Sequence, residues 1–321
     1  MASESLEGKF DLAPFGTHAT KRLVVPEAEK VLFTPYPCLD QGFVRLVDYM
    51  GGDDSVVRAA RVSYGGGTKT VSDNAGLIRY LMRHRHTTPS EMVELTFHAK
   101  MPILVARQWV RHRTASINEI SARYSVLDKE FYTPDPDVLG VQARNNKQGR
   151  DESVSLEQAE AIISLLKRDA AQAYESYEFL LNESSQKGSD GRSLPEDPTR
   201  PMLARELARM NLPVSIYTQW YWKVNLHNLF HFLGLRKDPH AQHEIRVYAD
   251  AMADIASKVA PESYRAFEDY VLDGITLSKL DRQVIVSVTK GASPEDAAGF
   301  ITNKRERQEA IEKVKKILEL S

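Results

Sequence analysis

The sequence predicts a mixed α/β (α+β) fold in which helices flank an antiparallel sheet. Residues 92–101 and 214–224 alternate between apolar and polar side chains, a pattern typical of half-buried strands, and antiparallel sheets commonly bury one face only. Residues 155–181 instead carry apolar side chains at helical spacing, which predicts a long amphipathic helix.

In the N-terminal half, short β-branched and aromatic runs predict strands at 30–36 and 42–49. Helices are predicted at 53–62, from a Ser72 cap to residue 86, and at 103–113 behind Pro102. The three glycines at 65–67 favour a flexible loop over a phosphate-binding loop, because no nucleotide-binding glycine motif continues from them.

In the C-terminal half, residues 182–201 are rich in Ser, Asp, Gly and Pro, which predicts an exposed loop insertion. Further helices are predicted at 199–210, 225–235, 241–259 and 262–272, and a charged helix at 304–320. The predicted organisation is an N-terminal extension (1–30), a main domain (31–275) and a C-terminal helical tail (276–321).

Composition limits the class of protein. The 321 residues carry a net charge of −2 and a single cysteine, Cys38. A near-neutral chain argues against coating nucleic acid through an overall positive field. One thiol allows no intrachain disulfide and no cysteine-based zinc site. The N-terminus lacks the apolar core of a signal peptide, and no run of about 18 apolar residues suggests a membrane span. We therefore expect a cytoplasmic protein.

The most informative segment is 111–124, where Arg111, His112, Arg113 and Arg123 surround short polar side chains without any lysine. Arginine rather than lysine suggests planar, bidentate recognition of phosphate or of a ring edge. Cations at a helix C-terminus also interact favourably with the helix dipole, but that interaction would explain only one or two of the arginines. The segment predicts a site for phosphate-bearing, nucleotide-like ligands.

A second polar cluster, Asn225, His227 and His231, interrupts an otherwise apolar helix. On their own, the two histidines could be ordinary surface residues or buried residues whose hydrogen bonds are satisfied. Their occurrence together with the arginine segment favours a functional role. Ser121 has no adjacent base, so it is interpreted as a phosphate-binding hydroxyl rather than a nucleophile.

Other patterns favour plain structural interpretations. His84-x-His86 and His240-x-x-His243 do not match H-E-x-x-H, so no metal site is predicted. Trp220 and Trp222 alternate across a strand and favour core packing over base stacking.

The arginine segment resembles a known signature. Arg111-His112-Arg113, seven residues and Ser121 are similar to the R-H-R-x7-S motif of the flavin-dependent thymidylate synthases. The resemblance covers about residues 42–275. It also includes Ala60-Arg-Val-Ser63, His86-x-Thr88-Pro-x-Glu91, Ala208-Arg209-x-x-Leu-Pro213 and Leu235-Arg236 followed by His240-Ala-Gln.

The resemblance implies a twisted, largely antiparallel sheet flanked by helices and a homotetramer with active sites at subunit interfaces. It implies reductive methylation of dUMP to dTMP, with methylenetetrahydrofolate as carbon donor, NADPH as reductant and FAD as cofactor. No nucleic-acid or membrane partner is implied.

The resemblance also assigns site residues by position. FAD would contact Ser63, Thr88, Arg111, His112, Arg113, Glu119, Asn225, Leu226, His227 and His231. The nucleotide would contact Gln108, Trp109, Val110, Arg111, Glu119, Ile120, Ser121, Ala122, Arg123, Arg209 and Arg236. Ser63, His86 and Glu91 would line the neighbouring pocket.

The chemistry favours one catalytic residue. Uracil C5 becomes nucleophilic when negative charge on the ring is stabilised, either after thiolate addition at C6 or by a fixed cation. Cys38 lies outside every matched motif, so Arg236 is the expected catalytic group.

The departures from the family pattern are the N-terminal extension, the 182–201 insertion, His231 where relatives often have asparagine, and the tail. Two other classes remain as alternatives: an arginine-rich nucleic-acid-binding protein, or a metal-dependent nucleotide hydrolase.

Overall fold

The computed structural model describes residues 19–63, 74–143 and 149–319. By contact density the chain forms two compact units, Met1–Phe267 and Glu268–Ser321. The predicted glycine loop at 65–67 and the Ser72 cap lie outside the described residues.

The first unit contains nine strands and nine helices within its described residues. The strands are β1 (Tyr36–Cys38), β2 (Gly42–Met50), β3 (Glu94–Pro102), β4 (Ser116–Glu119), β5 (Gly140–Gln142), β6 (Arg150–Ser153), β7 (Glu183–Lys187), β8 (Ser193–Pro195) and β9 (Tyr217–Asn225). The helices are α1 (Pro26–Glu29), α2 (Asp53–Val62), α3 (Asn74–Arg83), α4 (Ile103–Trp109), α5 (Leu156–Leu181), α6 (Arg205–Ala208), α7 (Leu226–Arg236), α8 (His243–Val259) and α9 (Pro261–Phe267). A 3-10 helix, Thr88–Met92, precedes β3, and another, Arg209–Asn211, follows α6.

The main sheet has five strands in the order β1-β2-β3-β9-β4, and every pairing is antiparallel. This confirms the predicted mixed fold with an antiparallel sheet. The predicted strand at 92–101 is β3, whose residues Leu95, Phe97 and Ala99 are fully buried. Helix α8 packs along the sheet, and its Tyr248 hydroxyl donates to the Lys100 carbonyl at 2.7 Å. A side chain at Gly42 would collide with that hydroxyl, so only glycine allows this close approach.

Four predicted elements differ from the structure, two of them only in their extent. Residues 30–36 form no strand; α1 precedes them, and β1 begins only at Tyr36. The helix predicted at 103–113 ends at Trp109, and the helix predicted at 199–210 is reduced to α6 and one 3-10 turn. The predicted loop insertion contains the paired strands β7 and β8. These strands carry polar side chains and no apolar alternation, so their pairing is not visible in the local pattern.

The second unit begins with a π-helix, Glu268–Leu272. It then has three helices, α10 (Lys279–Val288), α11 (Pro294–Ala297) and α12 (Lys304–Leu318). Val284, Ile301 and Val314 belong to its own buried apolar cluster. In neither unit, as far as the structure describes them, is any helix long and apolar enough to cross a membrane.

Candidate active site

The turn that follows α4 carries the central histidine and arginines. Its backbone is held by hydrogen bonds from the Val110 amide to the Ala106 carbonyl (2.9 Å) and from the His112 amide to the Trp109 carbonyl (2.9 Å). The Trp109 side chain is fully buried, with its ring centroid 5.4 Å from that of Trp222 and 5.1 Å from that of Phe232. Trp109 therefore anchors the turn in the core, and its side chain contributes packing rather than a polar contact.

The opposite wall is built by the junction of β9 and α7. The Asn225 side-chain oxygen accepts from the Asn228 backbone amide at 2.9 Å and so caps α7. A capping oxygen satisfies one of the free amides at the start of a helix. This junction orients α7 so that Asn228, His231 and Arg236 border one cavity.

The two walls enclose a cavity of about 340 Å³, called here the arginine cavity. Ligand pockets commonly measure about 300–1,000 Å³, so it has room for part of a dinucleotide. Among the described residues no carboxylate lines it, and its polar groups are mostly donors. The lining residues are Arg111, His112, Arg113, Thr114, Trp222, Val224, Asn228, His231, Leu235 and Arg236.

His112 and Arg236 are joined by a direct hydrogen bond in this cavity. The Arg236 Nε donates to His112 Nε2 at 3.1 Å. Because arginine only donates, His112 must accept through Nε2 and carry its proton on Nδ1. Burial, the Arg236 charge and the neighbouring His231 lower the pKa of His112 to about 4. Burial also lowers the pKa of Arg236. At neutral pH the pair is an imidazole beside a cation.

A larger cavity of about 1,120 Å³ lies elsewhere on the first unit, between α2, α3 and the turn before β3. Ser63, His86 and Thr88 line it, together with Arg22 and Arg58. Glu91 lies on the adjoining 3-10 helix but does not line the cavity. No described residue lines both cavities, so one chain holds the expected FAD residues in separate places.

A third group of expected residues lies at the edge strand β4 and beyond it. The Glu119 carboxylate accepts from the Thr218 hydroxyl at 2.6 Å. Arg123 is exposed and pairs with Glu206 of α6 at 3.1 Å. Arg209 follows on the 3-10 turn after α6. Ser121 accepts from the Arg123 backbone amide at 3.3 Å. None of these residues lines either cavity.

The remaining expected residues differ in their accessibility. Ala122 and Leu226 are buried, whereas Val110 and Ile120 are each 42% exposed. His227 is half-buried and lines neither cavity. Gln108 is half-buried and donates through Nε2 to Gln242 Oε1.

Sequence reasoning missed several lining residues. Asn228 and Leu235 border the arginine cavity, and they lie three residues before and four residues after His231, so helical spacing could have found them. Trp222, predicted as core, is both fully buried and part of the cavity wall. Arg22 and Arg58 belong to no motif, and no sequence signal marked them. In the described parts of the chain, no three His, Cys, Asp or Glu side chains converge as a metal site would require.

Comparison with known proteins shows similarity over most of the chain. Residues 45–262 match the Thy1 family, described as "Thymidylate synthase complementing protein". The flavin-dependent thymidylate synthase of Ruegeria pomeroyi is 52% identical over 278 residues, covering 87% of each chain. That of Gluconobacter oxydans is 56% identical over 259 residues, covering 81% of this chain and 80% of the relative.

Among solved structures, the UMP/dUMP methylase PolB of Streptomyces cacaoi bound with 5-Br UMP superimposes with a TM-score of 0.61 at 35% identity. The match covers 72% of this chain and 95% of the methylase. The same methylase bound with 5-Br dUMP gives a TM-score of 0.61, covering 74% and 99%.

Proposed function

Because this chain belongs to the family of flavin-dependent thymidylate synthases, we propose that it reductively methylates dUMP to dTMP. Methylenetetrahydrofolate gives the carbon, NADPH gives the electrons, and FAD is the bound cofactor. The observation that carries the proposal is the pairing of Arg236 with the neutral His112 inside the arginine cavity.

The arginine cavity fits part of such a cofactor. Arg111, Arg113 and Asn228 supply hydrogen-bond donors for an anionic pyrophosphate, and Trp222 and Leu235 supply apolar surface for a ring. Bound FAD would supply the reducing equivalents taken from NADPH. Since Ser63 and Thr88 lie in the other cavity, residues of a second chain would complete the site, which supports the expected homotetramer.

Arg236 is the proposed catalytic residue. Its Nε is held by His112, which leaves the two Nη groups available to stabilise negative charge on the uracil ring. Charge stabilisation of this kind makes C5 nucleophilic without a covalent bond to the enzyme. A neutral His112 is required for this arrangement, because a protonated ring could not accept from Arg236.

The sole cysteine is unsuited to the alternative mechanism. Cys38 is 1% exposed, and burial raises the pKa of its thiol to about 12. A cysteine attacks uracil C6 only as its thiolate, and this thiol stays protonated near neutral pH. It also lines neither described cavity.

The nucleotide would use residues of two groups. Gln108, Arg111 and Arg236 lie near the turn after α4 and on α7, while Ser121, Arg123 and Arg209 lie near β4 and α6. Exposed Arg123 would exchange its Glu206 partner for the phosphate. Ser121 would add a hydroxyl donor beside it.

The test is tritium release from dUMP labelled at C5, because exchange or methylation at that carbon must release the label. We expect release by the purified protein with FAD, methylenetetrahydrofolate and NADPH, and loss of dTMP formation when any one is omitted. Absence of both release and dTMP in the complete mixture would refute the proposed function.

A further inference from the structure

Four polar side chains form a continuous hydrogen-bonded path from strand β6 to helix α4. Arg150 Nη2 donates to both Glu244 carboxylate oxygens, at 2.6 Å and 2.7 Å. Gln242 Nε2 donates to Glu244 Oε2 at 2.7 Å, and Gln108 Nε2 donates to Gln242 Oε1. The Tyr132 hydroxyl adds a third donor to Glu244, at 3.1 Å. The path therefore connects a buried carboxylate with an expected nucleotide-binding side chain.

The charge of Glu244 sets the direction of every bond along this path. An ionised carboxylate only accepts, so Gln242 must present its amide nitrogen to Glu244 and its oxygen to Gln108. Gln108 must then donate with its own nitrogen, which turns its amide oxygen away from Gln242. The two ends of a glutamine amide have nearly the same shape, so only such a network distinguishes them.

Glu244 stays ionised despite its burial. It is 2% exposed, and burial raises its pKa, but hydrogen bonds from Arg150 and Gln242 outweigh that effect and hold the pKa below its ordinary value. Satisfying the buried charge requires Arg150 and Tyr132. The additional hydrogen bond to Gln242 fixes the orientation of the Gln242 amide, and this in turn fixes the orientation of the Gln108 amide.

We propose that Glu244 is a positioning residue that, through Gln242, holds the Gln108 amide oxygen toward the nucleotide, where it accepts a hydrogen bond. The proposal rests on the proposed function, in which Gln108 contacts dUMP. Two groups of dUMP can donate to that oxygen: N3–H of the uracil and the 3′-hydroxyl of the sugar. An amide in the opposite orientation would present NH₂, from which N3–H cannot accept; the 3′-hydroxyl could still accept from it, so the orientation matters most for N3–H.

The first experiment is a double-mutant cycle on the FAD-loaded enzyme with Glu244→Gln and Gln108→Ala. A neutral amide at 244 can donate or accept, so the orientation is no longer fixed. We expect Glu244→Gln to raise the KM for dUMP about 10-fold, the effect of one lost hydrogen bond to a ligand, with kcat within about twofold. In the Gln108→Ala background the same change should have no further effect on KM.

Gln242→Leu provides a second variant that leaves the Arg150–Glu244 pair intact. It should reproduce the KM effect and the same non-additivity with Gln108→Ala, and it is decisive if Glu244→Gln does not fold. Additive effects, an unchanged KM, or a fall in kcat alone would overturn the proposal. Inactive wild-type enzyme would refute the proposed function, whereas active wild-type enzyme with an additive cycle refutes only this inference.

Two competitive inhibitors identify the donor. N3-methyl-dUMP lacks the ring donor, and 2′,3′-dideoxyuridine monophosphate lacks the sugar hydroxyl. We expect Gln108→Ala to weaken the binding of dUMP and of one inhibitor, and to leave the binding of the other unchanged; the unaffected inhibitor lacks the group that Gln108 binds. Equal weakening of both inhibitors would show that the oxygen accepts from neither group and would overturn the proposal.

Discussion

Arg236 and His112, 124 residues apart in sequence, are joined by a 3.1 Å hydrogen bond from guanidinium Nε to imidazole Nε2. The bond fixes the tautomer of the histidine and the orientation of the guanidinium together. Within the described residues no hydrogen bond occupies the Arg236 Nη groups. His112 therefore orients the Arg236 guanidinium and does not act as a general acid.

Removing the cation should slow the chemical step. We expect Arg236→Ala to lower kcat by about 10²–10³, the usual effect of deleting one group that stabilises developing charge, while FAD remains bound through Arg111 and Arg113. Tritium release at saturating dUMP measures the effect, and Arg236→Lys serves as the charge-retaining comparison. Near-normal turnover in the alanine variant would remove Arg236 from its catalytic role.

Arg113 should hold the cofactor, whereas Arg107 should not. Both are exposed, but only Arg113 lines the arginine cavity. Loss of a charge-assisted hydrogen bond costs about 1.5–3 kcal/mol, so we expect Arg113→Ala to weaken FAD binding by roughly 10- to 100-fold. Arg107→Ala is the matched control and should bind as the wild type does. Flavin fluorescence titration of the apoprotein compares them, and equal affinities would contradict the assignment.

The buried His98 should make the protein less stable as the pH falls. Arg45 donates to its Nδ1 at 3.2 Å, and its Nε2 bonds Gln219 at 3.1 Å. Burial and the Arg45 charge lower the pKa of His98 from 6.5 to about 4. Between those pH values the unfolded chain binds more protons than the folded one. The free energy of unfolding therefore decreases as the pH is lowered from 6.5 to 4, by on the order of 3 kcal/mol for this group.

His98→Gln tests this pH dependence, because glutamine can accept and donate without titrating. Urea unfolding at several pH values between 7 and 4 should show a smaller loss of stability in the variant than in the wild type. Parallel curves for the two proteins would show that His98 does not carry the effect.

The Cys38 thiol should be unreactive in the native protein. Cys38 is buried with a raised pKa, so we expect no labelling by a thiol reagent in the native protein and full labelling after unfolding. Cys38→Ser should retain activity. Complete loss of turnover in a folded serine variant would restore the thiolate mechanism.

The sequence predicted elements whose signal is local. The alternation of β3 and the helical spacing of α5 are visible in the residues themselves. The expectation that β3 is buried on one face only was wrong, because His98 and Lys100 of its polar face are buried as well. Strand β4 was missed because all four of its residues are exposed, so it has no apolar alternation, and its pairing with β9 is non-local.

The same limit applies to the site. The arginine segment was visible as a motif, but the bond from Gln108 to Gln242 joins residues 134 positions apart. Contacts of this kind depend on how α4 and α8 pack, and a single sequence gives no measure of that packing. The separation of Ser63 and Arg113 into different cavities likewise emerges only in three dimensions.

The position of the tryptophans allows cofactor binding to be followed by intrinsic fluorescence. All three, Trp109, Trp220 and Trp222, are packed together, and Trp222 borders the arginine cavity. The tryptophan emission of the native chain therefore arises from one cluster beside the expected flavin. An isoalloxazine bound there would accept that excitation, so cofactor loading can be followed as quenching without any attached dye.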